Sequence, residues 1–401
     1  LRRYNGIAFL AALFLAPVLL LQSGDGSALL DALGSQDQPF QQMESAMKER
    51  LPGADFLRRL QISLKYAGGN KQQNGVFISE DMLMLDVQLK SQAIVNANIT
   101  RMLDFVEQFQ RNSYVMLIPT ACAVQQSKVP YDTVAPLYNQ KQQLLDDVYR
   151  RVSGYLTPID VYPTLRNHQE EYIYYRTDNT TTGLGGYYIY AAAAQKLGLK
   201  PRGIHEFSVE HLDYNYYGDL YARSPYREIP PDRISAYSMS KYWRYYTVTH
   251  YENDGRSRRY YTLYPQFREV LGDVKDVLLG GVSPIVTIDV GNAAESTRQL
   301  LIFGDRSMQS YLPFLLVHYP KSLLSIRHPS PPPCLNRWMF HGITRFCSPI
   351  WRTASSTATS SPSCPGCRKG RSRLEPALWL SDVWKDASHI SAICWECCKN
   401  T

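Results

Sequence analysis

The stretch Gln299-Leu-Leu-Ile-Phe303 runs directly into Gly304-Asp305, and a second apolar stretch, Tyr114-Val-Met-Leu-Ile-Pro119, ends in proline. Short continuous apolar runs of this kind predict strands that are buried on both faces, as in a parallel sheet. Predicted helices and strands alternate around them from Gly75 onward, which is typical of the α/β class. Because ligands of such sheets bind at the carboxyl ends of the strands, the residues after Phe303 are the first candidates for a site.

The composition is that of a folded protein, since 44% of the 401 residues are hydrophobic and 20% are charged. A formal charge of +7 would suggest a nucleic-acid binder if it were spread over the chain. The residues after 321, however, hold ten Lys or Arg against four Asp or Glu, whereas the preceding part holds 33 against 32. The body of the chain is nearly neutral, and we expect no nucleic-acid partner.

The N-terminal segment has the pattern of an export signal. Arg2 and Arg3 precede the apolar run from Gly6 to Leu21, which polar residues follow. At about 16 residues the run is shorter than the roughly 20 that a membrane-spanning helix needs. A cleaved signal peptide and an uncleaved membrane anchor are both open for residues 1–30. We expect residues 31–74 to form a helical linker, and the protein to be secreted or attached to the extracytoplasmic face of the cell membrane.

Tyrosine is concentrated in the middle of the chain, where 19 of the 29 residues lie between Tyr172 and Tyr264. Weak alternation within residues 212–264 predicts an insertion of antiparallel strands. Its mixture of aromatic and polar residues suits stacking on sugar rings, although tyrosines that merely cover an exposed sheet would give the same pattern.

The segment Glu171-Tyr-Ile-Tyr-Tyr-Arg-Thr-Asp178-Asn-Thr-Thr-Thr-Gly-Leu-Gly-Gly-Tyr-Tyr-Ile-Tyr190 resembles the signature of the DHHW family, a branch of the SGNH hydrolase superfamily similar to alginate O-acetyltransferases. There the pattern runs Thr-Asp-His-His-Trp-Thr-x-x-Gly-x-Tyr. The positions that stay in register are Thr177, Asp178, Thr182, Gly185 and Tyr187. The positions that depart from it are Asn179, Thr180 and Thr181, which replace His, His and Trp.

A second block, Phe303-Gly-Asp-Arg306-Ser-Met-Gln-Ser-Tyr-Leu-Pro-Phe-Leu-Leu-Val-His318-Tyr319, is similar to the family's nucleophile region. In this alignment Arg306 stands where the family has its nucleophilic serine. The resemblance covers about residues 75–321. It implies an SGNH hydrolase-like three-layer α/β/α domain with a parallel sheet, which here carries the Tyr-rich β insertion.

The resemblance also implies an Asp-His-Ser triad that transfers an acetyl group to a sugar hydroxyl. Thr180 has no basic nitrogen in the histidine position, and the guanidinium of Arg306 is always protonated and not nucleophilic. Loss of both nucleophile and base costs on the order of a millionfold in rate. We therefore expect a catalytically silent protein that binds or helps assemble cell-envelope polysaccharide. The alternative is an active O-acetyltransferase or esterase that uses Ser307.

These considerations define two groups of candidate residues. The relict triad region comprises Asp178, Asn179, Thr180, Asp305, Arg306 and Ser307. The candidate binding residues are Tyr187, Tyr217 and His318. We expect Arg306 to pair with Asp178 in a salt bridge that locks the former active site, with the clamping of an anionic sugar as the alternative. No cofactor is expected.

The tail contains two Cys-x-x-Cys pairs, Cys364 with Cys367 and Cys394 with Cys397, whose spacing would suit a zinc site. Their surroundings argue against it, because Pro-rich and Ser-rich stretches begin where the α/β domain still lacks strands. A shifted reading frame of residues 322–401 permits two β-strand patterns. We therefore expect this part to be a low-order, out-of-frame translation and reject the zinc site.

Overall fold

The structure is a computed structural model. It describes residues 54–86, 91–109, 112–130, 140–226, 228–239, 245–252, 256–266, 273–291, 299–319, 321–326 and 392–397. The expected export segment, residues 1–30, lies outside these residues, as do the first part of the expected linker and most of the tail. None of the helices in the described ranges is long and apolar enough to cross a membrane.

The chain divides into two units. The smaller comprises residues up to Asn74 together with Ser224–Glu228, and it contains helix α1 (Ala54–Ala67) and strand β1 (Gln72–Gln73). The amide of Gln73 donates to the carbonyl oxygen of Ile62 at 3.2 Å, which fastens the end of this segment onto its helix.

The larger unit comprises Gly75–Arg223 and Ile229–Thr401. Its helices are α2 (Gln92–Phe109), α3 (Ala121–Val124), α4 (Asp147–Val152), α5 (Tyr162–Asn167), α6 (Gly183–Lys196), α7 (Asp219–Arg223) and α8 (Met308–Leu315). Its strands are β2 (Val76–Ile78), β3 (Leu83–Leu85), β4 (Ser113–Met116), β5 (Thr157–Ile159), β6 (Phe207–Tyr216), β7 (Asp232–Met239), β8 (Tyr245–Tyr251), β9 (Ser257–Tyr260), β10 (Ile285–Gly291), β11 (Gln299–Gly304), β12 (Lys321–Ile326) and β13 (Ala392–Cys397).

The main sheet has eight strands in the order β5-β4-β13-β11-β12-β10-β8-β9. The two apolar runs that predicted buried strands form β4 and β11, so an α/β fold with a parallel component is confirmed. The parallel pairs are β4 with β5 and β11 with β12. The sheet as a whole is mixed, because β13 pairs antiparallel with both β4 and β11, and β8, β9 and β10 are antiparallel as well.

The Tyr-rich stretch forms antiparallel strands, as the sequence predicted, but these strands belong to two sheets. Strands β6 and β7 form a two-stranded sheet of their own, whereas β8 and β9 extend the main sheet. The connection between β8 and β9 is short, and short connections favour antiparallel neighbours. Strand β12 ends at Ile326 and so continues the sheet beyond the boundary at residue 321 that the resemblance gave.

The side chains of β11 alternate between two apolar clusters. Leu300 and Ile302 pack in a cluster with α6 and α8, whereas Leu301 and Phe303 pack in a cluster with α2 and α4. All four are at most 3% exposed. Burial on both faces explains why apolar and polar residues do not alternate in this strand. It also fixes the position of the residues that follow Gly304, at the carboxyl end of β11.

Helices α6 and α8 approach each other closely at Gly186. A Cβ atom at this position would overlap the backbone carbonyl of Ser310 in α8. This contact joins the helix that follows Asp178 to the helix that follows Asp305, so it sets the distance between the two halves of the candidate site.

Gly186→Ala is expected to lower the free energy of unfolding by about 1–3 kcal/mol, because backbone atoms cannot rotate away from the added methyl group. The better helix propensity of alanine offsets part of this cost. The matched control is Gly154→Ala, since a Cβ there has no neighbour within 4 Å, and its effect should stay within about 0.5 kcal/mol. Equal urea midpoints for both variants would contradict the close approach.

His250 in β8 is fully buried. Its Nδ1 lies 2.9 Å from Ser283 Oγ and its Nε2 lies 3.0 Å from the carbonyl oxygen of Leu279. Burial lowers the pKa of His250 from its ordinary 6.5 to about 4, helped by the charge of Arg258, although the bond to Leu279 and the charge of Glu252 oppose the shift. The folded state therefore favours the neutral imidazole.

Because the unfolded chain takes up this proton first, stability should fall as the pH drops from 6.5 towards 4. The loss attributable to His250 is about 3 kcal/mol. We expect His250→Gln to flatten the dependence of the unfolding free energy on pH in this window, as measured by urea titration at each pH. The control is His211→Gln on exposed β6, which should leave the slope unchanged. Parallel profiles for wild type and His250→Gln would refute the assignment.

Candidate functional site

A cavity of about 320 Å³ opens at the carboxyl ends of the parallel strands β4 and β11. Ile118, Pro119 and Thr120 line it from the segment that follows β4. The six residues of the relict triad region all line it as well, namely Asp178, Asn179, Thr180, Asp305, Arg306 and Ser307. The structure therefore brings together two segments of chain that the sequence analysis linked only through the family pattern.

Asp178 is the best-connected of these residues. Its Oδ1 accepts hydrogen bonds from Lys275 Nζ at 2.7 Å and from Thr180 Oγ1 at 2.7 Å, and its Oδ2 accepts from Tyr216 OH at 2.9 Å. Burial alone would raise the pKa of Asp178, but the charge and hydrogen bond of Lys275, with those of Thr180 and Tyr216, outweigh it. The pKa of this carboxyl lies well below its usual range, so Asp178 is a carboxylate.

The partner of Asp178 is Lys275 and not Arg306, so the predicted Asp178–Arg306 salt bridge is wrong. The Lys275 and Asp178 side chains are only 3% and 8% exposed. Lys275 Nζ also donates to Thr180 Oγ1. Lys275 therefore contacts both Asp178 and Thr180, the residue that stands at the histidine position of the DHHW pattern.

Lys275 reaches the cavity from a short 3-10 turn, Val274–Val277. The turn is closed by Asp276, whose Oδ2 accepts from the backbone N–H of Asp273 at 3.0 Å. Sequence analysis missed Lys275, because the turn lies about a hundred residues from Asp178 and outside both family blocks. The available signal was a lysine between two aspartates directly before the apolar Leu278-Leu279.

Arg306 lies in the turn between β11 and α8. Its Nη2 donates to Oδ1 of Asp276, whose side chain is 7% exposed. Two cations thus pair with two neighbouring carboxylates, Lys275 with Asp178 and Arg306 with Asp276. The charges of Asp178 and Arg306 still act on each other. Burial lowers the pKa of Arg306, but the charge and hydrogen bond of Asp276, together with the charge of Asp178, outweigh it and raise the pKa.

Ser307 is held by the residue two positions before it. Its backbone N–H donates to Asp305 Oδ1 at 2.9 Å, and its Oγ donates to the same oxygen. No histidine of the described ranges lines the cavity. His250 is buried against Ser283 and Leu279, away from these lining residues.

The retained positions of the family pattern build the loop that carries Asp178. Thr177 donates through its N–H and its Oγ1 to Asp232, a fully buried carboxylate that also accepts from the N–H of Arg176 at 2.7 Å. Thr182 caps α6, since its Oγ1 accepts from the N–H of Gly185 at 3.3 Å. Sequence analysis missed Asp232, which lies 55 residues from Thr177.

The candidate binding residues do not share the cavity. Tyr187 packs its ring against Phe314, and its hydroxyl donates to the carbonyl oxygen of Arg202 at 3.2 Å. His318 is 6% exposed, and its Nε2 lies 2.8 Å from Tyr190 OH. Both were predicted as ligand contacts. Tyr187 instead packs against the core, and His318, which follows α8, contacts Tyr190 of α6, so neither lines the cavity. Tyr217 is 40% exposed.

The two Cys-x-x-Cys pairs of the tail lie only partly within the described residues. Cys364 and Cys367 lie outside the described residues, whereas Cys394 and Cys397 fall in β13. Within the described ranges, no group of three or more His, Cys, Asp or Glu side chains is placed to hold a metal ion.

Lys275→Met is expected to destabilise the protein by about 3–5 kcal/mol, because it leaves the Asp178 carboxylate buried without its cation. Combining it with Asp178→Asn should recover part of the loss. The matched control is Lys128→Met, which breaks the exposed pair with Asp81 and should cost less than about 1 kcal/mol. Equal urea midpoints for Lys275→Met and Lys128→Met would show that the buried pair has no structural weight.

Comparison with protein families and solved structures finds similar proteins for part of the chain. Residues 86–254 match the family described as DHHW protein. A DHHW family protein from Eubacterium siraeum DSM 15702 is 22% identical over 64% of this chain and 83% of its own, with a TM-score of 0.48. Bacillus cereus PatB1 is 15% identical over 62% and 85%, with a TM-score of 0.50.

The O-acetyltransferase domain of Pseudomonas putida AlgJ is 15% identical over 63% of this chain and 78% of its own, with a TM-score of 0.37. A search of curated proteins found no match. The likeness to PatB1 concerns the fold alone. With the motif in register and the matching residues covering the Asp178 loop, this part of the chain is similar to DHHW proteins.

Proposed function

We propose that this protein is a catalytically silent DHHW protein that binds polysaccharide, or helps to assemble it, at the cell envelope. The observation that carries the proposal is a pair of ionic contacts, one of them buried on both sides, at the two positions where acyl transfer needs a base and a nucleophile. Lys275 bridges Asp178 and Thr180, and Arg306 is bound by Asp276.

The chemistry of these contacts supports the loss of acyl transfer. A triad carboxylate works by orienting an imidazole and stabilising its protonated form. Here Asp178 pairs with a lysine side chain instead, and the hydroxyl of Thr180 is engaged as donor to Asp178 and acceptor from Lys275. A guanidinium in the nucleophile position offers donors and no lone pair for attack on a carbonyl carbon.

The alternative is an O-acetyltransferase or esterase that uses Ser307, and one observation favours it. Ser307 lines the cavity and its Oγ donates to a carboxylate, Asp305. A carboxylate is a much weaker base than an imidazole at neutral pH, and the N–H of Ser307, which could have faced an oxyanion, donates to the same carboxylate. We therefore rank this alternative second.

The location at the envelope rests on the sequence of residues 1–30, whose charged start and apolar run are those of an exported or membrane-anchored chain. The carbohydrate class of the ligand is proposed from the resemblance to DHHW proteins and from the Tyr-rich composition between Tyr172 and Tyr264. The domain is proposed to be of the three-layer α/β/α type, with helices against both faces of β11.

Wild-type protein and Ser307→Ala are expected to hydrolyse p-nitrophenyl acetate no faster than a protein-free blank. Loss of nucleophile and base lowers the rate by about a millionfold, which brings a triad enzyme down to this background. The assay follows p-nitrophenolate release at neutral pH, and Ser257→Ala, in β9, serves as control for non-specific surface hydrolysis. Turnover by wild type that disappears only in Ser307→Ala would return the protein to the enzymes.

A further inference from the structure

We infer that the cavity takes an uncharged sugar ring, and that this ring stacks on the Tyr217–Tyr221 pair beside the cavity. The inference rests on the proposed function and deepens it, because it gives the charge class of the glycan and the side chains that hold it.

The position of the pair is fixed by the loop that carries Asp178. Gly218 lies against Asp178 so closely that a Cβ atom would overlap the aspartate side chain. The N–H of Gly218 donates to Thr177 Oγ1 at 3.0 Å, and the N–H of Tyr221 donates to the carbonyl oxygen of Thr177 at 3.1 Å. Asp219, between the two tyrosines, lines the cavity. The backbone that carries both tyrosines is therefore anchored next to the cavity.

The rings of Tyr217 and Tyr221 contact each other. Their centroids lie 4.3 Å apart with an interplanar angle of 39°, and Tyr217 is still 40% exposed. A tyrosine that is held by a neighbouring ring presents a large, rigid surface at a small cost in conformational entropy. Such a surface suits the flat apolar face of a pyranose ring, whose hydroxyl groups point outward.

The charges at the cavity argue for an uncharged ligand. Lys275 is paired with Asp178, Arg306 with Asp276, and Arg223 with the cavity residue Asp219 at 2.6 Å. An anionic sugar would have to compete with an aspartate for each of these cations. When one edge of a guanidinium already binds an aspartate, that edge cannot also form a bidentate pair with the carboxylate of a sugar. The anionic clamp considered from sequence is therefore disfavoured.

Hydrogen-bonding groups for an uncharged sugar are present at the same cavity. Thr120, Asn179 and Thr180 line it, and Asn179 is exposed. Arg306 Nε is a further donor of a lining residue, since it is buried and makes no hydrogen bond within the described residues. Hydroxyl groups of a neutral sugar can both accept from and donate to such groups.

Calorimetric titration of the full chain with three tetrasaccharides tests the inference. Cellotetraose and tetra-N-acetylchitotetraose are the uncharged probes, and tetragalacturonate is the anionic one. We expect at least one uncharged probe to bind about tenfold more tightly than tetragalacturonate. Tyr217→Ala should weaken that binding about tenfold, whereas Tyr217→Phe, which keeps the ring, should stay within about threefold of wild type. The control is Tyr245→Ala, an exposed tyrosine of β8, which should have no effect.

The outcomes separate the inference from the proposed function. Binding of an uncharged probe that Tyr217→Ala leaves unchanged, or tighter binding of tetragalacturonate, would overturn the inference and leave a polysaccharide-binding protein. Failure of all three probes to bind at millimolar concentration would overturn both.

Discussion

The buried ion pair between Lys275 and Asp178 is the interaction on which the site depends. Two charged side chains that are less than a tenth exposed are tolerated only because each neutralises the other and because further hydrogen bonds satisfy their remaining donors and acceptors. Thr180 and Tyr216 supply those bonds. The pair also bears on the chemistry of the site, because it holds the Asp178 carboxylate against an amine and not against an imidazole.

The retained and the replaced positions of the DHHW pattern have different physical roles. Thr177, Thr182 and Gly185 make backbone and capping contacts that shape the loop and start α6, so they are needed whether or not the protein is an enzyme. Positions 179 and 180 line the cavity, and Thr180 also bonds to Asp178 and Lys275 there. Their replacement leaves the loop intact, which explains how the family frame persists without the family's imidazole.

The sequence was sufficient for features that arise from local pattern. The apolar runs predicted β4 and β11, and their carboxyl ends located the cavity, because burial on both faces leaves a readable signature. It was insufficient for contacts between distant charges. Lys275 and Asp232 lie in segments with no pattern of their own, and only the folded chain brings them to Asp178 and Thr177. Tyr187 and His318 failed for the opposite reason, since a polar or aromatic residue in a family block can serve the core as well as a ligand.

The two-stranded sheet of the Tyr-rich stretch supports the loop that carries Asp178. Tyr216 ends β6, Asp232 begins β7, and the two face each other across the strands as one pair. Tyr216 holds Asp178, while Asp232 holds Thr177. Exchange of these two strands between homologues is therefore constrained in evolution. A recombinant that inherits the Asp178 motif from one parent and β6 and β7 from another needs a tyrosine hydroxyl and a carboxylate at this one pair of positions. Without them the loop loses its shape.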